Sequence, residues 1–258
     1  MNREKTLQEF NRLLEIMHRL RNECPWDKSQ TNESLRTLTI EEVYELSEAI
    51  LENDYIKIRE ELGDIILHVV FYSTIGEEME QFNIYDVLKE LNEKLIRRHP
   101  HIFGDTEVNN VQEVKQNWEK IKLNEGKKSV LDGVPANLSS IIKAYRLQDK
   151  ARGVGFDWEN INQVYEKLKE ELNELHNAIK SGNIENIEEE FGDVLFALIN
   201  YSRFLSINPD DALEKANKKF INRFKYIEEQ AAKNSNCINE LSLEEMDKWW
   251  NESKKTEQ

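Results

Sequence analysis

The chain has 258 residues, 39% hydrophobic and 33% charged, with 50 Asp and Glu against 35 Lys and Arg and a formal charge of −15. That balance argues against binding a nucleic-acid backbone, which needs cations, although metal ions and a local basic cluster can still receive an anionic substrate. Only nine Gly and four Pro are present, so long helices with few tight turns are expected.

In chain order, Leu7, Phe10, Leu13, Leu14, Met17 and Leu20 recur at the spacing of one helical face. Cys24-Pro25-Trp26-Asp27 interrupts them, because a proline disfavours helix in the residue before it. Thr31 to Ser34 offer N-cap chemistry for a helix to about Glu52, and Asn53-Asp54 start another that runs to about Met79. Ile84, Val87, Leu88, Leu91 and Leu95 form a fourth stripe, stopped at His99-Pro100-His101, and a short helix over about 111–123 closes the unit. Two Gly, a Pro and adjacent lysines mark residues 125–136 as a linker between domains at 1–124 and 137–258. Helices are expected beyond it at about 137–151, 160–181, 184–206, 209–232 and 242–255. The segment Gly153-Val154-Gly155-Phe156-Asp157-Trp158 separates the first two. No alternating strand pattern occurs, so the class is all-α, a tandem repeat with four main helices in each half.

No apolar run approaches the roughly 18 residues of a membrane span, and Met1 to Glu9 is too polar for a signal peptide. Cys24 and Cys237 lie far apart without a motif partner and read as reduced thiols. A soluble, cytoplasmic protein is the expectation.

The most informative feature is a repeated set of carboxylates. Glu42, Glu45, Glu61 and Asp64 recur as Glu171, Glu174, Glu190 and Asp193, each 129 positions later. Phe156-Asp157 likewise answers Trp26-Asp27. Repetition at this length signals a duplicated domain. On a helix, positions i and i+3 share a face, so Glu42 projects with Glu45, and Glu61 with Asp64. If the two helices pack antiparallel, four carboxylates converge, and Gly63 lets the partner backbone approach. Such a group repels itself unless a hard cation relieves it, and all-oxygen ligation suits Mg²⁺ or Mn²⁺. A single glutamate run usually marks a solvated face. Two copies, each flanked by apolar residues such as Leu62, Ile65, Phe191 and Val194, point to metal instead. Di-iron bundles require Glu-x-x-His, which neither copy has. His68 has Ala197 as its counterpart and reads as a packed core histidine.

Lys94 with Arg98, and Lys219 with Arg223, each place two cations on one helix face. Either pair alone fits a solvated helix end, whereas repetition in register with the acidic sets favours phosphate binding. Trp118 and Trp250 end the two halves, each as a core anchor or as a platform for a nucleobase.

Together these residues resemble the MazG family of nucleoside triphosphate pyrophosphohydrolases in its two-repeat form. The resemblance spans almost the whole chain. It is carried by Cys24-Pro25-Trp26-Asp27-Lys28-x-Gln30-Thr31, the two acidic sets, Arg97-Arg98-His99-Pro100-His101, Val154-Gly155-Phe156-Asp157-Trp158 and Lys219-Phe220-x-x-Arg223-Phe224. Other all-α pyrophosphohydrolases, such as dimeric dUTPases, share the acidic motif alone.

The resemblance implies Mg²⁺-dependent cleavage between the α and β phosphates of ribo- and deoxyribonucleotides, and a homodimer of helical bundles. It also implies that Glu171, Glu174, Glu190 and Asp193 hold metal. Lys167, Glu170, Glu189, Lys219, Arg223 and Trp250 would contact the nucleotide, with Glu170 or Glu171 activating water. The first half repeats the metal set, and Lys94, Arg98 and Trp118 stand as its nucleotide contacts. Leu38 replaces Lys167 there, which weakens nucleotide binding in the first half, and the resemblance to two-repeat members implies that the second half is the main catalyst. The competing reading is a non-catalytic helical module that binds metal or nucleotide and acts through partners.

Overall fold

A computed structural model of the chain describes residues 2–126, 129–234 and 237–256, without the side chains at 112, 115, 116, 119, 123, 124 and 256. Among these residues there are twelve α-helices, a 3₁₀ turn at Ile238–Glu240 and no strand. The all-α expectation therefore holds. The helices divide into two compact units, residues 1–109 and 110–258.

The first unit contains α1 (Arg3–Glu23), α2 (Pro25–Ser29), α3 (Asn32–Glu52), α4 (Tyr55–Glu78), α5 (Ile84–Arg98) and α6 (Pro100–Phe103). Local chemistry explains the starts. Thr31 and Ser34 form a reciprocal capping box, Asp54 accepts from the amides of Ile56 and Lys57, and Asn83 forms a box with Asp86. Helices α3 and α4 make a hairpin, and α1 and α5 each pack against α4. Met17, Leu35, Val70, Phe71 and Ile75 form the buried core, flanked by Phe10, Leu13, Leu14, Leu38, Leu67 and Tyr72.

The second unit contains α7 (Val111–Asn124), α8 (Ser140–Gly153), α9 (Ile161–Ser181), α10 (Ile184–Phe204), α11 (Pro209–Lys233) and α12 (Leu243–Thr256). Helix α7 packs on α8, so by packing it goes with the second unit rather than closing the first. Lys127 and Lys128 of the expected linker lie outside the described residues. Ser129–Pro135 is held from below by Lys150, whose buried ammonium donates to the carbonyls of Val130 (3.0 Å) and Asp132 (3.2 Å). Helices α9 and α10 form the main hairpin, with α8 across α10 and α11.

The two hairpins turn alike. Asn53 (φ 56°) and Gly182 (φ 74°) are left-handed residues closing α3 and α9, followed by the N-caps Asp54 and Asn183. Glu45 and Glu61 each lie roughly two helical turns from the first corner, as do Glu174 and Glu190 from the second. The corner therefore brings them face to face.

Candidate active site

In the first unit, carboxylate oxygens of Glu42, Glu45 and Glu61 lie within 4.8 Å of one another, and in the second those of Glu171, Glu174 and Glu190 do the same. The expected convergence of four is met by three in each half. Asp64 stands outside the trio, yet its charge acts on both Glu42 and Glu61. Asp193 likewise lies outside its trio and lines a neighbouring cavity. The role expected of Gly63 does not hold. A Cβ built on it, or on Gly192, meets nothing within 4 Å, so neither glycine marks a close backbone approach within the chain.

The electrostatics of the halves differ. Burial raises the Glu42 carboxyl, aided by the charges of Asp64, Glu45, Glu61 and Glu41. Glu61 is raised by burial and then by Glu45 and Asp64. In the second unit Lys167 supplies a counter-charge. Its ammonium meets Glu170 at 2.7 Å and Glu171 at 2.9 Å, and these bonds, Glu170 first, hold it well above the usual lysine range. Burial, a hydrogen bond with Glu171 and the charges of Glu171 and Glu190 raise Glu174. Leu38 holds the place of Lys167 in the first half and packs against the core.

Three carboxylates with mutually close oxygens, and no sulfur or imidazole among them, fit a hard divalent cation. His68 belongs to the interior, as its sequence context implied. It is buried, and its Nδ1 lies 2.8 Å from Thr39 Oγ1. The single Thr39 hydroxyl hydrogen goes to the Leu35 carbonyl at 2.9 Å, so His68 and the Tyr72 hydroxyl (2.7 Å) donate to the threonine oxygen. Burial lowers the His68 pKa, which keeps the ring neutral despite Asp64.

Beside the second trio opens a cavity of about 620 Å³. Lys167, Glu171 and Asp193 line one part of it, and Gln148, Phe156, Trp158, Phe196, Asn200 and Arg203 line others. The Arg203 guanidinium is nearly buried and holds the cavity wall. It donates to both carboxylate oxygens of Asp157, one at 2.8 Å, and to Asn200 Oδ1 at 2.9 and 3.2 Å. Asp157 also accepts from the Trp158 amide at 3.0 Å, which fixes the strap that carries the aromatic rings.

The remaining expected residues are more dispersed. Lys219, Arg223 and Trp250 are not among the cavity's lining residues. Arg223 lies over the Trp250 ring at 5.4 Å, and Trp250 packs on Phe220 at 5.3 Å beside the cluster of Ile227, Ala231 and Leu241. Trp250 is thus at least a core anchor. Trp118 carries the Lys122 ammonium 5.0 Å from its ring centre. Glu189 and Lys94 are exposed, and Arg98 is half-buried near the end of α5. Of the cavity residues, Asp157 and its aromatic neighbours were visible as a repeated motif. Gln148, Asn200 and Arg203 had no sequence signal, being ordinary polar residues on amphipathic helices.

The MazG nucleotide pyrophosphohydrolase domain matches this chain twice, at residues 30–103 and 159–227. Each match contains one hairpin and its carboxylate trio. The chain is 45% identical over 250 residues to the nucleoside triphosphate pyrophosphohydrolase/pyrophosphatase MazG of Thermotoga maritima, with 95% of each protein covered. It is 38% identical to the nucleoside triphosphate pyrophosphohydrolase of Escherichia coli, over 97% of this chain and 99% of that protein. The uncharacterized protein YabN of Bacillus subtilis is 46% identical over 98% of this chain, which spans 53% of YabN. With two hairpins, two acidic trios and relatives that align end to end, this chain belongs to the MazG family of nucleotide pyrophosphohydrolases.

Proposed function

We propose that this protein hydrolyses nucleoside triphosphates between the α and β phosphates, releasing a nucleoside monophosphate and pyrophosphate, with the second unit as its main catalytic centre. The observation that carries the reading is the juxtaposition of the Glu171, Glu174 and Glu190 trio with Lys167 and a cavity large enough for the rest of a nucleotide. Those three glutamates, with Asp193 one turn further along α10, would hold Mg²⁺, and Mn²⁺ as its substitute. When bound, the ion supplies Lewis-acid neutralisation of the polyphosphate and a water of lowered pKa.

The chain's own groups account for the remaining roles. Lys167 exchanges its carboxylate partners for phosphate oxygens when the acidic charge is otherwise neutralised. Glu170 stands outside the trio and orients or deprotonates the attacking water. Lys219 and Arg223 on α11, with Glu189 and Trp250, are assigned by motif to the nucleotide, the two cations stabilising charge on departing pyrophosphate. Water attacks directly, so no covalent intermediate is needed. In the first unit Glu42, Glu45, Glu61 and Asp64 form a metal site without the lysine. Lys94, Arg98 and Trp118 are its matching nucleotide contacts.

Leu172, Phe191, Leu195 and Leu198 leave a strip of apolar surface exposed on α9 and α10. A homodimer that covers it is part of this proposal, as is a cytoplasmic location compatible with the free Cys24 and Cys237. No helix among the described residues is long and apolar enough to cross a membrane.

Pyrophosphate release from a triphosphate panel in Mg²⁺ tests the assignment. Glu171→Ala and Asp193→Ala should each reduce kcat at least a hundredfold, while Glu42→Ala leaves most turnover. Unchanged turnover in both second-unit variants would remove the site from that unit. A metal-loaded wild type inactive on every nucleotide would favour a binding module.

A further inference from the structure

The chain between α7 and α8 supplies a wall to the cavity of the second unit. Leu131 lines the cavity together with Lys167, Glu171 and Asp193, yet it is 46% exposed, so apolar surface is left to bury against an occupant. The segment is shaped by its own side chains. The Ser129 amide donates to Asp132 Oδ2 at 2.9 Å, the Leu131 amide donates to Ser129 Oγ at 3.1 Å, and Gly133 turns at φ 80°. These bonds set the form of the turn and leave open where it sits on the bundle.

Two lysines of α8 decide that. Lys143 and Lys150 stand about two turns apart on one face of the helix. Lys143 Nζ donates to the Ala136 carbonyl at 2.5 Å, and Lys150 Nζ donates to the carbonyls of Val130 (3.0 Å) and Asp132 (3.2 Å). Lys150 is 3% exposed, and lysine is almost never so buried without strong partners. Its burial and the seating of the segment are therefore one event. If the segment lifts, water replaces the carbonyls and the ammonium is not stranded.

The repeat provides an internal comparison. Counting 129 back, Lys150 corresponds to Arg21. Arg21 also donates to two main-chain carbonyls, those of Asp27 and Gln30 (the latter at 3.2 Å), but these follow its helix, whereas the partners of Lys150 precede α8. In the second half the segment after α8 is gripped from α10 instead, by Arg203 on Asp157. The α8 cation is thereby released to hold a segment that lines the cavity.

We propose that Lys150 is a positioning residue of the second site: it seats the 129–135 segment so that Leu131 completes the cavity wall, and substrate affinity depends on that seat. Lys150 is not among the lining residues and acts through the main chain it holds. The assignment rests on the reading that a nucleoside triphosphate occupies this cavity.

The test uses the full chain with Lys150→Met, which keeps the length of the side chain and loses its donors, and with Leu131→Ala. Hydrogen exchange follows residues 129–135. Calorimetry follows Mn²⁺ alone, and α,β-methylene analogues of the four ribonucleoside triphosphates in Mg²⁺. Pyrophosphate release gives kcat and KM. Lys150→Met should speed exchange in 129–135 at least fivefold and leave α9 and α10 unchanged. It should raise KM and the analogue Kd at least fivefold, with kcat and Mn²⁺ affinity within about twofold of wild type. Leu131→Ala should raise KM and Kd at least threefold while exchange in 129–135 stays slow.

Wild-type exchange in Lys150→Met would overturn the grip. Faster exchange with KM and Kd unchanged would overturn its bearing on substrate. So would a fall in kcat at constant KM, or a loss of Mn²⁺ binding, which a general support of the fold would produce. If Lys150→Met does not fold, Leu131→Ala decides, and wild-type KM and Kd there would overturn the wall. Analogue binding that weakens in both variants of a protein releasing no pyrophosphate would retain the positioning role and refute hydrolysis. Wild-type turnover with affinities indifferent to both substitutions would do the reverse.

Discussion

Removing the Asp157 carboxylate is a direct test of how the cavity wall is held. The Arg203 side chain is 5% exposed and that of Asp157 21%, and they share two hydrogen bonds. Breaking a fully buried pair costs about 3–5 kcal/mol, because the surviving charge has no partner in a poor solvent. Here Asp157 is a fifth open to water, and Asn200 keeps its bonds to the guanidinium. Asp157→Ala should therefore cost about 2–3 kcal/mol, at the lower end of the buried-pair range. For a unit of this size that lowers Tm by roughly 5–10 °C, read by calorimetry as a shift of one transition. The strap carrying Phe156 and Trp158 would loosen, so KM for nucleotides should rise along with it. Asp27 is the corresponding residue of the first unit, but it is the Asp27 main-chain carbonyl that accepts from Arg21, which an alanine preserves. Asp27→Ala should cost under about 1 kcal/mol. Equal losses at the two positions, or a loss below about 1 kcal/mol at Asp157, would refute the view that this ion pair builds the pocket.

The raised carboxyls predict how metal and pH trade against each other. Folding raises Glu42, Glu61 and Glu174 above the ordinary 4.5, so their contribution to stability is fully present below that value and is lost as pH rises through the folded values. Melting temperatures with chelator and with Mg²⁺ should diverge as pH climbs from 5 to 8, since a cation that binds only the folded carboxylates restores what repulsion removes. A gap that stays constant over that range would contradict the clustering. The glycines give a backbone test by urea unfolding. Gly192→Ala should stabilise the chain by about 0.5–1 kcal/mol, because the helix interior favours alanine and the new Cβ meets nothing. Gly182→Ala should cost about 1 kcal/mol, because its φ of +74° is left-handed. Destabilisation at Gly192 would restore a close approach at that point.

Much of this molecule is written in local periodicity. The spacing of Leu7 through Leu20, the caps at Thr31 and Asp54, and the i, i+3 pairs of glutamates act within one or two helical turns, and such interactions survive in any tertiary context. The repeat of 129 residues carries the same corner, Asn53-Asp54 and Gly182-Asn183, into both halves. Two clusters of carboxylates are therefore legible before any packing is known, although the spacing implies four members in each and packing brings three together. The close approach expected at Gly63 is absent because a glycine beside a motif looks the same in sequence whether it admits a neighbour or merely faces open space.

What only the tertiary structure decides is that a cavity opens beside the second trio. Phe71 and Asn200 occupy the same register, and the difference between a filled core and a cavity depends on how α8 and α1 each lie against their hairpins. The bond from Gln148 Nε2 to the Phe196 carbonyl, the grip of Arg203 on Asp157 and the hold of Lys150 on Ser129–Pro135 join residues that are 18 to 48 positions apart. Sequence spacing specifies contacts along a helix. Contacts between helices depend on crossing and rotation, which the whole core sets together, so these pairings appear only once the chain is packed.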